Sequence, residues 1–260
     1  MAPMKRKFSK QARRERIVAE LRANPTVRIS ELARTFGVTT ETVRRDVDSL
    51  SSEGLVSRTY GGAAVTALAH EPSLDERTAI FVEERTRIAK RAVAFVTPGD
   101  VLMVDSGATT AHFVRRLAVE LKDITVITNS IAHAAVAGSN PSIKVILCPG
   151  YFIAGERGTY GPEVAEFLRR YRANHCFIGA GGMTLEGPND VSAELCWVKR
   201  AMIERAGTCT LLIDHSKFGN LGLEVICPLD RVTRVVTDRP PPPEHQTIFS
   251  KGRPELVLAE

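Results

Sequence analysis

Short apolar segments alternate with helical patterns along most of the chain after residue 76. Segments typical of buried strands occupy residues 101–104, 124–128, 144–148, 175–178, 210–214 and 232–237. This alternation predicts an α/β fold with a doubly wound, mostly parallel sheet, because parallel strands need a long crossover, usually a helix, between them. Ligands bind such a sheet beyond the carboxyl ends of its strands, so the pattern also predicts where a site lies.

Basic residues are concentrated in the first quarter of the 260-residue chain. Residues 1–62 contain 13 Lys and Arg against 7 Asp and Glu, whereas the remaining residues contain 22 against 23. The formal net charge of +5 therefore divides into +6 for the first quarter and −1 for the rest. This division predicts a small basic domain over residues 1–63, a hinge of small and polar residues over 64–75, and a larger domain over 76–260.

Several classes of protein are excluded by composition. No apolar run approaches about 18 residues, which excludes a membrane span, and the basic residues 1–10 are not followed by the apolar stretch of a secretory signal. We therefore expect a cytoplasmic protein. The five cysteines are odd in number and lack C-x-x-C spacing, so they predict buried thiols instead of disulfides or a zinc site. The histidines are isolated, and no metal or cofactor is predicted.

Two short helical patterns follow each other in the basic quarter. The first begins near Ile29, with Ser30 as the predicted N-cap and Gly37 placed to end it. The second begins near Thr39. Two helices joined by so short a turn predict a helix-turn-helix at about residues 29–50, whose second helix enters the major groove of DNA.

A β-like stretch follows the helices and predicts a wing hairpin at about residues 55–63, because Gly61 and Gly62 end it. The first turn of the second helix lies closest to the bases, where a guanidinium can pair with guanine. The predicted base-reading residues are Thr39, Thr40, Thr42 and Arg44. The predicted phosphate contacts are Arg45, Arg58 and the arginines of a further helical pattern over residues 9–22. A merely solvated cationic face is the alternative reading of these arginines.

The basic quarter resembles, at matching spacing, the winged helix-turn-helix signature of the DeoR family of bacterial transcriptional regulators. The residues that carry the resemblance are Arg13, Ile17, Leu21, Thr39 and the runs 42–47 and 53–63. Tyr60 stands where the family more often has His, and its ring can still lie against a phosphate or a sugar. The resemblance implies a regulator that binds double-stranded operator DNA in a sequence-specific way.

A turn rich in glycine and hydroxyl groups follows the first predicted strand. It consists of Asp105, Ser106, Gly107, Ala108, Thr109 and Thr110, and a helix over about 111–121 comes next. Unpaired N–H groups and the positive dipole end of a helix N-terminus bind phosphate. The turn lacks the Gly-Lys-Ser/Thr ending of a Walker loop, so hydrolysis of nucleoside triphosphates is not supported. An ordinary strand-to-helix turn with Thr109 as N-cap is the alternative.

Polar clusters also follow other predicted strands. The predicted effector-binding residues at these strand ends are Asn129, Gly181, Gly182, Asp214 and Lys217. Lys217 can neutralise a phosphate, while Asp105, Asn129 and Asp214 can hydrogen-bond hydroxyl groups. For each residue alone, loop solvation or backbone capping is the alternative.

The larger domain also resembles the DeoR family. The matching segments are residues 105–110, 128–129, 198–202 and 214–219, and the resemblance extends to about Asp238. The family's effector domain is similar in fold to ribose-5-phosphate isomerase, which implies a sugar phosphate or a related phosphorylated metabolite as effector. Ala108 stands where Ser or Thr is usual, so the turn lacks one hydroxyl and keeps the backbone amide.

A sugar-phosphate isomerase-like enzyme with a DNA-binding appendage is the competing hypothesis. The isomerase has Asp-Gly-Ala-Asp after a strand, whereas the comparable residues 179–182 here read Gly-Ala-Gly-Gly. Since the carboxylate base is missing, no catalytic residue is predicted, and Trp197 is expected in the core or the pocket wall. The sequence favours a repressor of a carbohydrate-metabolism operon that acts as a homodimer or homotetramer, because a two-fold operator needs at least two copies.

Overall fold

The computed structural model describes residues 10, 13–14, 16–18, 27–52, 56–59, 62–65, 74–250 and 254–260. The chain divides into two units, residues 1–72 and 73–260. The middle of the predicted hinge lies outside the described residues, and the ends of that range belong to a strand and a helix. No helix in the described ranges is both long and apolar enough to cross a membrane.

Helical residues between 10 and 18, a helix-turn-helix and three short strands form the described part of the first unit. The elements are β1 (Val27–Arg28), α1 (Ile29–Phe36), α2 (Thr40–Ser52), β2 (Val56–Thr59) and β3 (Gly62–Val65). The strands form an antiparallel sheet of order β1-β3-β2, in which β2 and β3 are the predicted wing. The core contains the buried side chains of Ile17, Leu32, Phe36, Val43 and Val47. The predicted helix-turn-helix is confirmed.

Helix α1 ends as predicted and begins differently. Gly37 has φ +64°, a left-handed conformation that glycine adopts without steric cost, and this glycine ends the helix. The predicted N-cap Ser30 is wrong, because Arg28 is the N-cap and Ser30 lies inside the first turn. Glu31 explains the difference, since its carboxylate accepts a hydrogen bond from the Arg28 N–H at 3.4 Å.

The second unit is built on a seven-stranded sheet of order β15-β14-β12-β9-β4-β5-β6, in which every neighbouring pair is parallel. Its strands are β4 (Val101–Val104), β5 (Thr125–Thr128), β6 (Lys144–Leu147), β9 (Ala173–Ile178), β12 (Ala206–Leu212), β14 (Arg234–Thr237) and β15 (Glu255–Leu258). The helices of this unit are α3 (Leu74–Ala79), α4 (Val82–Val93), α5 (Ala108–Glu120), α6 (Ile131–Gly138), α7 (Pro162–Arg169) and α8 (Ala193–Arg205). The predicted α/β fold class is confirmed.

The sheet is buried on both faces. On β9, Phe177 belongs to a core cluster that contains side chains of α4, α5 and α6, whereas its neighbours Cys176 and Ile178 belong to a second cluster with side chains of α7 and α8. Successive side chains of a strand point to opposite faces, so the two clusters cover opposite faces of the sheet. All five cysteines are free and buried, as predicted. Trp197 is 50% exposed and does not line the pocket at the end of the sheet, so its predicted place in the core or the pocket wall is wrong.

The strand order reverses between β4 and β9. The chain proceeds from β4 outward through β5 and β6, and then returns to β9 on the other side of β4. Val104 pairs with Phe177 on one side and with Thr128 on the other, so these three strands end at the same level. The residues that follow them therefore meet at a topological switch point, where open α/β sheets bind ligands.

Two smaller sheets were not predicted. One is the hairpin of β7 (Tyr151–Ile153) and β8 (Gly158–Tyr160), and the other contains β10 (Gly182–Thr184), β11 (Gly187–Asp190) and β13 (Glu224–Val225). These strands have two to four residues and include Gly, Pro and Asn, which strands usually lack.

Several elements have bounds that differ from those predicted from the sequence. Residues 74–93 form two helices and not one continuous helix, because Phe81 has φ +54° and Ile80 lies exposed between them. The strand predicted over residues 210–214 runs from Ala206 to Leu212. The earlier end leaves residues 213–217 as the polar loop at the switch-point edge.

Candidate functional site

A pocket lies at the switch point, and the empty space in it, together with the part open to solvent, is about 390 Å³. It is lined by Arg77, Arg85, Ser106, Gly107, Ala108, Thr109, Glu156, Gly179, Ala180, Asp190, Leu195, Lys199 and Lys217. Five of these residues are predicted effector-binding residues, namely Ser106, Gly107, Ala108, Thr109 and Lys217. The pocket thus unites the glycine turn after β4 with the loop after β12, as the fold predicts.

The turn before α5 presents backbone N–H groups to the pocket wall. Gly107 is the N-cap, and its N–H donates to the Thr110 hydroxyl at 2.8 Å. The first helical hydrogen bond runs from the Ala111 N–H to the Gly107 carbonyl, so the N–H groups of residues 108–110 have no partner within the helix. A Cβ at residue 107 would lie 2.9 Å from the Thr110 hydroxyl, so the tight turn needs glycine. Thr110 closes the turn, and Thr109 is not its cap.

Ser106 is held by two residues behind the pocket wall. Its hydroxyl lies 2.6 Å from the Tyr160 hydroxyl and accepts a hydrogen bond from the Asn129 side chain at 3.3 Å. The same Asn129 amide donates to the Thr159 carbonyl at 3.1 Å. Burial raises the pKa of Tyr160, so this hydroxyl stays protonated and can donate. Asn129 therefore positions Ser106 and does not itself line the pocket.

Asp105 lies beneath the turn and faces a lysine. Its carboxylate accepts a hydrogen bond from the Gly179 N–H at 3.1 Å and lies 3.3 Å from the Lys199 ammonium. Lys199 also forms an ion pair with Asp190, and all three charged side chains are at most 8% exposed. Two carboxylates thus fix one ammonium at the pocket wall.

Asp214 anchors an arginine of the pocket. Its Oδ2 accepts hydrogen bonds from Arg85 Nε at 3.1 Å and Nη2 at 2.9 Å, and its Oδ1 accepts from the Ser216 N–H at 3.1 Å. Burial acts to raise the pKa of Asp214, but Arg85, Ser216 and Lys217 together hold it below its ordinary value. The carboxylate is therefore ionised and shapes the loop that carries Lys217.

Gly181 and Gly182 lie beside the pocket without lining it. The Gly181 N–H donates to the Asn189 carbonyl at 3.0 Å, and a Cβ at Gly182 would lie 2.0 Å from the Asn220 carbonyl oxygen. Both glycines allow a close backbone approach within the small sheet of β10, β11 and β13. Their neighbours Gly179 and Ala180 line the pocket instead.

Five charged pocket residues are not among the predicted effector-binding residues. They are Arg77, Arg85, Glu156, Asp190 and Lys199. Lys199 and Arg85 could have been identified from the sequence, because each is a charged residue among the apolar positions that a helix buries. The sequence gives no such indication for Arg77 and Glu156. Their location in the fold depends on the break between two helices at Phe81 and on the β7–β8 connection, and neither was predicted.

Most of the predicted DNA-binding residues lie in the first half of α2 or directly before it. Thr39 caps the helix, accepting a hydrogen bond from the Thr42 N–H at 3.2 Å. Thr40 and Arg44 are exposed, and Arg45 is an exposed residue paired with Glu41 at 3.3 Å. Arg58 contributes backbone to the wing strand β2, and Tyr60 lies outside the described residues.

Arg13 was predicted among the phosphate contacts, but it is part of the fold. Its Nε donates to Asp46 of α2 at 2.6 Å, and the two side chains are 11% and 2% exposed. The guanidinium is therefore committed to tying the first helical segment to α2.

Comparisons with known proteins match both units. Residues 13–67 match the model of the DeoR-like helix-turn-helix domain, and residues 80–239 match that of the DeoR C terminal sensor domain. An uncharacterized HTH-type transcriptional regulator of Bacillus subtilis, YulB, is 32% identical over 87% of this chain and 88% of its own. The glycerol-3-phosphate regulon repressor of Escherichia coli K12 is 28% identical over 96% of this chain and 99% of its own. The putative aga operon transcriptional repressor of Escherichia coli O157:H7 is 28% identical over 95% of this chain and 93% of its own.

These relatives are named as regulators, and they align with this chain over nearly their whole length. The relatives therefore support the prediction of a regulator and not the competing prediction of an enzyme. With a helix-turn-helix in its first unit and a sensor domain in its second, the chain belongs to the DeoR family of DNA-binding transcriptional regulators.

Proposed function

We propose that this chain represses a carbohydrate-metabolism operon and that a phosphorylated sugar or a related metabolite relieves the repression. One observation carries the proposal: the N–H groups at the start of α5 share a pocket with Lys217, Arg77 and Arg85. Unpaired amides at a helix N-terminus together with ammonium and guanidinium groups form a phosphate site. The name of the glycerol-3-phosphate regulon repressor, one of the relatives, agrees with a phosphorylated effector.

The charges of the pocket suit a ligand with one anionic end. The lining residues include four cations, Arg77, Arg85, Lys199 and Lys217, and two carboxylates, Glu156 and Asp190. The cations attract a phosphate, and carboxylates accept hydrogen bonds from sugar hydroxyls. The ligand thus binds through Ser106, Gly107, Ala108, Thr109 and Lys217. Asp105, Thr110, Asn129 and Asp214 position these groups, and Gly181 and Gly182 shape the adjacent wall.

The first unit supplies the contact with operator DNA. Thr39, Thr40, Thr42 and Arg44 read bases from the start of α2, while Arg45, Arg58 and Tyr60 contact the backbone. The net charge of +6 over residues 1–62 favours the DNA polyanion. A two-fold operator is read by two copies, so the protein acts as a homodimer or homotetramer in the cytoplasm.

The effector releases DNA only if it distinguishes two arrangements of the protein. A ligand shifts an equilibrium by its difference in affinity for the two states, and a ligand with equal affinities shifts nothing. The effector therefore binds more tightly to the arrangement that does not bind the operator.

Selection of operator DNA from random sequence, followed by a panel of sugar phosphates, tests the proposal. We expect at least one phosphorylated compound to release the selected DNA, with no conversion of that compound. The unphosphorylated parent sugars are the matched control and should leave the complex intact. Turnover of a sugar phosphate, or release by the parent sugars alone, contradicts the proposal.

A further inference from the structure

Arg77 and Glu156 form an ion pair at the pocket wall, and both belong to elements outside the main sheet. Arg77 lies on the short helix α3, and Glu156 lies on a 3-10 turn between β7 and β8. Their side chains are 12% and 15% exposed, and both residues line the pocket. The pair therefore joins two peripheral elements at the place where the effector is proposed to bind.

The other carboxylates that hold pocket cations are more firmly placed. Asp214, the partner of Arg85, is fully buried, and Asp190, a partner of Lys199, is 3% exposed at the end of β11. Glu156 is more exposed than either and lies on a three-residue turn. It is therefore the carboxylate that an incoming anion displaces most readily.

We propose that Glu156 determines effector specificity by competing with the ligand for Arg77. A phosphate monoester carries between about 1.5 and 2 negative charges at neutral pH and has three acceptor oxygens, whereas a carboxylate carries one charge. A phosphate thus displaces Glu156, while a neutral sugar or a sugar acid leaves the pair intact. This inference rests on the proposed function. It explains how the same pocket distinguishes a phosphate from other ligands and how binding changes the structure around it.

Displacement of Glu156 loosens α3. This helix directly follows residues 66–73, through which the chain runs from the DNA-binding unit. A second ion pair, between Asp75 and Arg157, also links α3 to the β7–β8 connection. Its side chains are 62% and 53% exposed, so it contributes little to holding the helix in place. The Arg77–Glu156 pair is therefore the stronger of these two ties, and the ligand breaks it at the chain's entry into the sensor domain.

Glu156→Gln tests the proposal because glutamine keeps the shape of the side chain and removes its charge. Titration calorimetry on the full chain measures the affinities for inorganic phosphate and for acetate. We expect phosphate to bind the variant at least about fivefold more tightly than the wild type, the lower end of usual coupling between sites. We expect the preference for phosphate over acetate to fall. Asp75→Asn, which breaks only the exposed pair, is the matched control and should leave both affinities unchanged.

Hydrogen exchange of the α3 amides gives a second readout. Phosphate should speed exchange in the wild type, and Glu156→Gln should show fast exchange without phosphate. Glu156→Ala serves as a second variant should Gln disturb the fold. If the wild type binds phosphate and both variants keep its phosphate affinity, the inference is overturned and the proposed function stands. If neither the wild type nor the variants bind phosphate, both fail.

Discussion

Arg85 and Asp214 form a buried ion pair that joins the first turn of α4 to the loop after β12. Two nitrogens of Arg85 donate to one oxygen of Asp214, and the side chains are 2% and 0% exposed. Removal of one partner from such a pair leaves an uncompensated buried charge. The pair thus connects pocket geometry with the stability of the second unit.

Asp214→Asn should lower the free energy of unfolding by about 3 kcal/mol, because Arg85 stays charged and buried. Urea unfolding of the full chain at neutral pH measures the change. Glu166→Gln is the matched control, since it removes one carboxylate from an exposed pair with Arg169 and should cost less than about 1 kcal/mol. Equal losses in the two variants would contradict a stabilising role for the Arg85–Asp214 pair.

Asp46→Asn should loosen the helix-turn-helix. The Asp46 carboxylate is 2% exposed and accepts from Arg13 at 2.6 Å, so its loss leaves the guanidinium without its partner in the fold. We expect faster hydrogen exchange along α2 and weaker binding to selected and random DNA alike. Asp48→Asn, at an exposed position of the same helix, is the control. A loss of binding confined to the selected DNA would show that Asp46 acts on base reading instead.

His133 should make the protein less stable in mild acid. Its side chain is buried, and burial lowers its pKa from 6.5 to about 4, against the opposing effect of the Asp105 and Gly107 backbone. The unfolded chain takes up the proton first as the pH falls. About 3 kcal/mol of unfolding free energy is therefore present above pH 6.5 and is lost between pH 6.5 and 4.

Urea unfolding at several pH values checks this expectation. His133→Leu should flatten the dependence of the unfolding free energy on pH in that window. Burial also lowers the pKa of His112, so this histidine accounts for any pH dependence that remains in the variant. A wild-type curve that is flat from pH 6.5 to 4 would show that His133 is not held neutral.

The sequence predicted the sheet and the glycine turn before α5 because both depend on local patterns. Apolar strands, crossover helices and the run Asp105–Thr110 are each encoded within about ten neighbouring residues, and the fold class fixes where strand ends meet. The partners behind the pocket depend on distant contacts. Arg85 and Asp214 are 129 residues apart, and no periodicity relates them. The sequence therefore predicted Asp214 as a site residue but could not show that it binds Arg85.

Arg44→Ala should reduce sequence preference on DNA. Arg44 is exposed in the first half of α2, and a bidentate contact to guanine contributes about 1 to 3 kcal/mol of discrimination. Competition between selected and random DNA measures the loss. Arg45→Ala, at an exposed neighbour paired with Glu41, is the control and should weaken both kinds of binding equally. An equal loss for Arg44→Ala would mean that Arg44 contacts only phosphate.

Lys217→Ala should separate effector sensing from DNA binding. Lys217 lines the pocket in the second unit, so its loss should leave affinity for the selected operator unchanged. Hydrogen bonds to charged groups contribute about 1.5 to 3 kcal/mol, which corresponds to a loss of roughly ten- to hundredfold in affinity for a phosphorylated effector. Lys144→Ala, at an exposed lysine on β6 away from the pocket, is the control. If both variants release operator DNA at the same effector concentration, Lys217 is not part of the phosphate site. The N–H groups at the start of α5, with Arg77 and Arg85, would then have to hold the ligand.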